Sequence, residues 1–243
     1  MTILEIKNLT KHFDGVAAID RLSFSVAKGT ITGIIGPNGS GKTTLTNILS
    51  GMIPKDGGAI VIDGVSVERM KSYDARSYGI TRTFQNVRVF EQMTVFDNLL
   101  VVVTERNVWS SLFERHVEYH HARVLEVLER IGLSDKKTAL ARTLSYGQRK
   151  LLEVGRALLI DARVYLFDEP FAGLFPEMAK RILSIIHKLK TEGKTVILIE
   201  HNMELVRELC DTVIVMDSGR LLSEGDPEKV LKKREVLEAY LGE

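Results

Sequence analysis

Residues Gly36 to Thr43 read Gly-Pro-Asn-Gly-Ser-Gly-Lys-Thr, a full match to G-x-x-x-x-G-K-[S/T] between the apolar run Ile31–Ile35 and a helical stretch ending near Gly51. Gly36, Gly39 and Gly41 let successive backbone N–H groups converge on phosphate oxygens, and the start of the following helix adds partial positive charge. Lys42 adds a full charge at the β/γ end. Thr43 offers a hydroxyl to Mg²⁺, a hard cation that prefers oxygen. A triphosphate site also needs a carboxylate on a rigid element opposite the phosphates. Val164-Tyr165-Leu166-Phe167-Asp168-Glu169 supplies two. Asp168 is expected to hold Mg²⁺ directly or through water, and Glu169, on the turn leaving the strand, to polarise the attacking water as general base. Further on, Leu144-Ser145-Tyr146-Gly147-Gln148 opens another helical pattern. Ser145 and Gln148 have the spacing of a capping box, and a helix start with a Ser and a Gly is also a natural anion site, so both readings stay open.

The elements that must position these residues fall into two kinds. Ile3, Glu5, Ile6, Lys7 and Leu9, then Leu22 to Val26, then Ile60 to Ile62 before Asp63-Gly64, alternate as half-exposed antiparallel strands do. Val164 to Phe167, Thr195 to Ile199 and Val213 to Met216 are continuous apolar runs, separated by helix-like stretches from Glu177 to Leu189 and Met203 to Leu209, and they predict a parallel sheet covered on both faces. From about Thr94 to Leu159 the apolar spacing is helical, as at Val124, Leu125, Leu128 and Ile131. The expected fold is α/β, a phosphate-loop core with a parallel sheet, an N-terminal antiparallel β subdomain and a helical subdomain. A single domain is expected over residues 1–243, with about 1–85 and 160–243 as the catalytic core and about 86–159 as the helical part carrying Ser145 and its neighbours.

Composition narrows the class. The chain has 243 residues, and 33 Lys+Arg against 32 Asp+Glu leave a net charge of +1, which argues against a nucleic-acid partner. A hydrophobic share of 44% with 27% charged residues excludes a wholly disordered chain. The single Cys210 removes any internal disulfide framework and any thiolate-rich zinc site, and its expected role is packing. Apolar runs such as Leu99 to Val103 are shorter than the ~18 residues of a spanning helix, and the polar N-terminus has no signal-peptide stretch, so a membrane role would require another chain.

The ordered set of Gly36–Thr43, Gln85 within Thr83-Phe84-Gln85-Asn86, Leu144–Gln148, the Asp168-Glu169 strand and His201 within Ile199-Glu200-His201-Asn202 resembles the ATP-binding subunit of ABC transporters over nearly the whole chain. In that family two nucleotide-binding subunits meet head to tail. The resemblance therefore implies ATP and Mg²⁺ as cofactors, and a second ATPase subunit, sister chain or identical copy, as partner. It implies nucleotide contacts from Gly36, Pro37, Asn38, Gly39, Ser40, Gly41, Lys42, Thr43 and Thr44, and contacts to the partner's nucleotide from Ser145, Gly147 and Gln148. Gln85 would approach Mg²⁺ and the lytic water, and His201 the γ-phosphate. Phe13, before the tight-turn pair Asp14-Gly15, stands where the family stacks an aromatic on adenine, with Val16 flanking the base. Two positions depart from the family pattern. Tyr146 stands where Gly is commonest, and Phe175 stands where Asp or Asn reports across the dimer.

The finer resemblance is to the ATP-binding subunit of high-affinity branched-chain amino acid uptake systems, through Thr81 to Leu100, Leu144 to Lys150, Ile199 to Val206 and Ala239 to Glu243. It implies a motor subunit at the cytoplasmic face of the membrane, bound to transmembrane permease subunits and served by an extracytoplasmic substrate-binding protein. Related urea or amide importers and a lipopolysaccharide exporter share parts of these stretches, and soluble ABC ATPases of DNA repair or ribosomes are the non-transport alternative. A non-hydrolysing regulator would lack Glu169 or His201, and both are present. Val87, Val89, Phe90, Met93 and Val95 are expected either to receive a permease helix or to pack the helical part. His116, His120 and His121, beside Glu118, are expected on a solvated helix face. Asp226-Pro227 is expected to open the terminal helices.

Overall fold

The computed structural model describes residues 1–103 and 117–241, and these cluster into two compact units. The first comprises Met1–Arg82, Ala162–Glu169 and His187–Glu243, and the second Thr83–Asp161 and Pro170–Ile186. The stretch 86–159, expected to be helical, falls in the second unit together with Thr83–Gln85 and Pro170–Ile186.

In the first unit, β1 (Thr2–Phe13) and β2 (Val16–Ala27) form a hairpin whose turn, Asp14-Gly15, has φ of +47° and +85°, as a type I′ turn requires. β1 also pairs antiparallel with β4 (Gly57–Ile62), and β4 with β5 (Val65–Val67), giving the order β2-β1-β4-β5. The hairpin strands run longer than their alternating segments suggested, because register shifts interrupt the period-two pattern at Ile6/Leu9 and Leu9/Lys11. A six-stranded sheet has the order β10-β9-β3-β8-β7-β6, with β3 (Ile31–Ile35), β6 (Ile80–Arg82), β7 (Val164–Asp168), β8 (Thr195–Ile199) and β9 (Thr212–Asp217) parallel and β10 (Arg220–Gly225) antiparallel. Every residue of β3, β7 and β8 is buried, which is why these strands read as unbroken apolar runs. Core residues Ile3, Leu22 and Ile60 of the antiparallel sheet join Ile34, Leu166 and Met216 of the parallel one, with Leu45 and Ile48 of α1 (Lys42–Leu49), in one cluster.

Cys210 lies beside β3. Its Sγ sits 2.9 Å from where a Cβ on Gly33 would be, so this strand position has no room for a side chain. Burial, followed by the charges of Asp211 and Glu200, pushes the Cys210 thiol up to about 12, so it stays a protonated packing group.

The second unit is built on α2 (Val95–Val103), α3 (Val117–Ile131) and α4 (Tyr146–Leu159). Leu99, Val124, Leu128, Ile131, Leu151 and Leu152 fill its interior. A Cβ on Gly155 of α4 would meet Ile131 at 2.8 Å and Leu99 at 3.2 Å, so a small residue lets the three helices close together. Thr94 Oγ1 accepts from Asp97 N at 3.0 Å and caps α2. α5 (Pro176–Thr191) crosses the unit boundary, and α6 (Met203–Leu209), α7 (Pro227–Val230) and α8 (Arg234–Leu241) follow in the first unit. Asp226 caps α7, accepting from Lys229 N at 3.2 Å.

Candidate active site

Parallel strands bring their carboxyl ends to one edge of a sheet, where ligands of open α/β folds bind. Here β3 ends at Ile35, and the loop Gly36–Gly41 turns directly into α1. Backbone φ is +152° at Gly36, +76° at Gly39 and +101° at Gly41. A Cβ on Gly36 would lie 2.1 Å from Met216 O, and one on Gly41 2.5 Å from Ala18 O, so β9 and β2 press on the loop and only glycine fits. Gly219 N donates to Ser40 O at 3.1 Å, and Ser40 N to Pro37 O at 3.2 Å. Lys42 is 7% exposed, and its Nζ donates to Gly36 O at 2.7 Å, Pro37 O at 2.8 Å and Ser40 Oγ at 3.3 Å. The ammonium thus sits over the loop, beside a helix start with no acidic residue in its first turn. Charge and helix dipole act on an anion in the same sense. Asn38 and Gly39 are exposed, as is Thr43, while Thr44 is half-buried.

Phe13 and Val16 face each other in the hairpin register and are 46% and 70% exposed. Lys11 Nζ lies 5.3 Å from the centroid of the Phe13 ring. Ala18, two residues beyond Val16, is the residue that touches Gly41, so this hairpin end lies beside the loop with one flat ring uncovered.

Asp168 closes β7 with its carboxylate buried. Oδ2 accepts from Arg82 Nη2 at 2.7 Å, and the two side chains are 8% and 6% exposed. Arg82 ends β6, and its Nη1 reaches Asn47 Oδ1 at 2.7 Å and Ser50 Oγ at 3.0 Å. One guanidinium thus ties the helix that begins at the phosphate loop to the carboxylate at the end of β7. Glu169 follows with φ of +47°, a left-handed conformation that is strained for a non-glycine residue, and its N–H donates to Ile199 O at 3.0 Å. That bend aims the side chain at His201, on the turn leaving β8, whose Nε2 lies 2.8 Å from Glu169 Oε1. β8 runs between β3 and β7, so His201 leaves the strand that separates the phosphate loop from the two acids.

The first unit therefore gathers the Gly36–Thr44 loop, Asp168, Glu169, His201, Phe13 and Val16. Gln85, Ser145, Gly147 and Gln148 belong to the second unit. Gln85 is exposed. Ser145 caps α4 in a full capping box: Gln148 N donates to Ser145 Oγ at 3.3 Å and Ser145 N to Gln148 Oε1 at 3.0 Å. The helix start is left exposed, with no acid in its first turn, so capping and anion binding are compatible. Tyr146 is the first helical residue and has no positive φ, which explains why a side chain is tolerated there. At Gly147 the space is tighter, since a Cβ would meet Met178 Cγ at 3.1 Å and the Met178 side chain would have to shift. Phe175 is 82% exposed.

Among the described residues no group of three or more His, Cys, Asp or Glu could hold a metal alone. His121 stands edge-on to Phe96 at 5.1 Å, and His116 lies outside the described residues. An oxygen set of the Thr43 hydroxyl and the Asp168 carboxylate, whose Oδ2 is the oxygen bound by Arg82, fits the oxygen preference of Mg²⁺.

Comparison with known proteins gives the family. The family described as "ABC transporter" matches residues 19–172. The chain belongs to the ABC transporter family. It is 36% identical to the high-affinity branched-chain amino acid transport ATP-binding protein BraF of Pseudomonas aeruginosa, over 99% of this chain and 98% of that one. It is 37% identical to the probable branched-chain amino acid transport ATP-binding protein LivG of Methanocaldococcus jannaschii, over 100% and 98%. A nucleotide-free ATP-binding cassette from an ABC transporter matches with a TM-score of 0.88 and 36% identity over the full length of both chains. A cassette in its ADP conformation matches with the same TM-score, identity and coverage. This ABC cassette is an ATPase. No helix among its described residues is long and apolar enough to cross a membrane.

Sequence reasoning passed over Arg82. The signal was a charged residue closing a three-residue strand beside the strand that ends in Asp168. Breaking a buried ion pair by removing one partner costs about 3–5 kcal/mol. Arg82→Met is therefore expected to lower unfolding stability in urea by about that amount. An unchanged midpoint would show that the pair is not formed.

Proposed function

We propose that the chain is the ATP-hydrolysing subunit of an importer for branched-chain amino acids, working at the cytoplasmic face of a membrane with a second cassette and transmembrane permease subunits. Whole-length identity to BraF and LivG supports the substrate class. For the chemistry, the observation that carries the reading is His201 Nε2 at 2.8 Å from Glu169 Oε1, on neighbouring strand ends beside the phosphate loop.

In this reading loop N–H groups and Lys42 bind the β- and γ-phosphates, and Phe13 stacks on the base with Val16 at its edge. Thr43 and Asp168 would hold Mg²⁺, which when bound would offset charge on the triphosphate. Glu169 accepts a proton from water as its oxygen attacks the γ-phosphorus, and the β–γ bridging oxygen leaves with ADP. His201 holds the Glu169 carboxylate in line and reaches the γ-phosphate, and Gln85 orients the water. Ser145, Gly147 and Gln148 of the second cassette close over the triphosphate from the other side. An extracytoplasmic binding protein supplies the amino acid to the permease.

Glu169→Gln is expected to slow ATP turnover about 10²–10⁴-fold, roughly 3–5 kcal/mol of barrier, with ATP affinity retained. Near-normal turnover would remove Glu169 from the role of base. The permease is expected to rest on Val89 and Phe90, the latter 48% exposed. Val89→Ser with Phe90→Ser should weaken co-purification with the membrane subunits while ATP binding persists. Unchanged co-purification would rule out this docking surface.

A further inference from the structure

Within the second unit, one face of α4 carries Lys150, Glu153 and Arg156, spaced three residues apart and therefore stacked along the helix. Lys150 is fully buried and Glu153 is 5% exposed. All three side chains end on the peptide backbone that flanks Gln85. Lys150 Nζ donates to Gln85 O at 2.9 Å and to Phe84 O at 3.2 Å. Glu153 Oε1 accepts from Phe84 N at 3.2 Å. Arg156 Nη1 donates to Arg88 O, and its guanidinium carbon lies 4.9 Å from the centroid of the Phe90 ring. The far end of the segment is fastened by buried Asn98, whose Oδ1 accepts from Phe90 N at 2.8 Å and whose Nδ2 donates to Phe90 O at 2.9 Å.

Burying an ammonium and a carboxylate is costly even when they are paired, and apolar side chains of similar volume would pack a helix with a smaller desolvation penalty. Burial is the largest influence on Glu153 and raises its pKa, against the opposing pull of the Phe84 N–H and the Lys150 charge. What the charges add is direction. The bonds named above run to peptide groups, so they fix the path of the chain at residues 84–88, on either side of the exposed Gln85. The helix that does this is the one whose N-cap is Ser145. We propose that Lys150, Glu153 and Arg156 are positioning residues for Gln85, making the Gln85 backbone and the Ser145 helix start one rigid piece. The nucleotide contact made by Ser145 in one active site and the water contact made by Gln85 in the other then change together. This rests on the roles given to Gln85 and Ser145 under Proposed function.

The test is a double-mutant cycle on the full-length chain assembled with its partners, reading kcat, KM for ATP, fluorescent ATP-analogue binding and thermal unfolding. Lys150→Met should lower kcat about tenfold while KM and analogue binding stay within about twofold. In a Gln85→Ala background, adding Lys150→Met should lower kcat no further, because the group being positioned is already gone. Glu153→Gln, which keeps shape and the acceptor for Phe84 N–H, should show the same non-additivity with a smaller loss. It also serves if Lys150→Met does not fold. In both variants, amide hydrogen exchange of the peptide containing Phe84 to Arg88 should quicken, with exchange in α4 unchanged. If Gln85→Ala leaves kcat at the wild-type value, the role of Gln85 fails and this proposal fails with it. If Gln85→Ala is slow but the losses multiply, or Lys150→Met turns over normally, only the positioning role is overturned.

Discussion

The molecule depends on the way one ammonium and one short loop hold each other. Lys42 Nζ donates to the carbonyls of Gly36 and Pro37, and Ser40 N–H also donates to Pro37 O, so the cation and the turn hold one shape together. The turn is possible only because Gly36 and Gly41 bring no Cβ against Met216 O and Ala18 O. Those two carbonyls come from different sheets, one from β9 and one from β2. Parallel core and antiparallel subdomain therefore both end on the same six residues, Gly36–Gly41, and their packing makes the loop's geometry a property of the whole first unit.

Buried charge is the second recurring device. Arg82 and Asp168 form a pair at the ends of adjacent strands, with Arg82 also gripping Asn47 and Ser50 of α1. Lys150 and Glu153 lie on one face of α4, with bonds directed at the backbone of Phe84 and Gln85. Such groups are poor sources of stability compared with apolar packing, but they are exacting about direction and distance. Each stands behind a side chain that the proposed chemistry uses: Asp168 in one unit, Gln85 in the other. Glu169 adds strain of a different sort, since its left-handed backbone is what turns its carboxylate toward His201.

Much of this was legible in the residues. The motif Gly36–Thr43 announces its own geometry because glycine positions and a lysine at fixed spacing admit few alternatives, and β3, β7 and β8 are legible because strands buried on both faces leave no polar interruption. The turn pair Asp14-Gly15 and the capping box of Ser145 and Gln148 follow from local chemistry. Less was visible where the structure is short or non-local. β6 has three residues, too few for any period, and Arg82 acquires meaning only when β6 is laid beside β7. Lys150 and Glu153 sit on a helix whose apolar stripe was plain, yet their targets lie more than sixty residues earlier in the chain, as in Lys150 to Gln85. Sequence spacing cannot place a loop on a helix face; packing does.

The proposed function needs two surfaces around each triphosphate, the Gly36–Thr43 loop of one cassette and the capped, acid-free start of α4 from a second. Specific ATPase activity of the purified chain, followed from micromolar to nanomolar protein alongside sedimentation, measures this most directly. If two chains must meet around each triphosphate, specific activity falls in proportion to protein concentration once the dimer dissociates. Constant specific activity down to concentrations at which the protein sediments as a monomer would contradict a shared site.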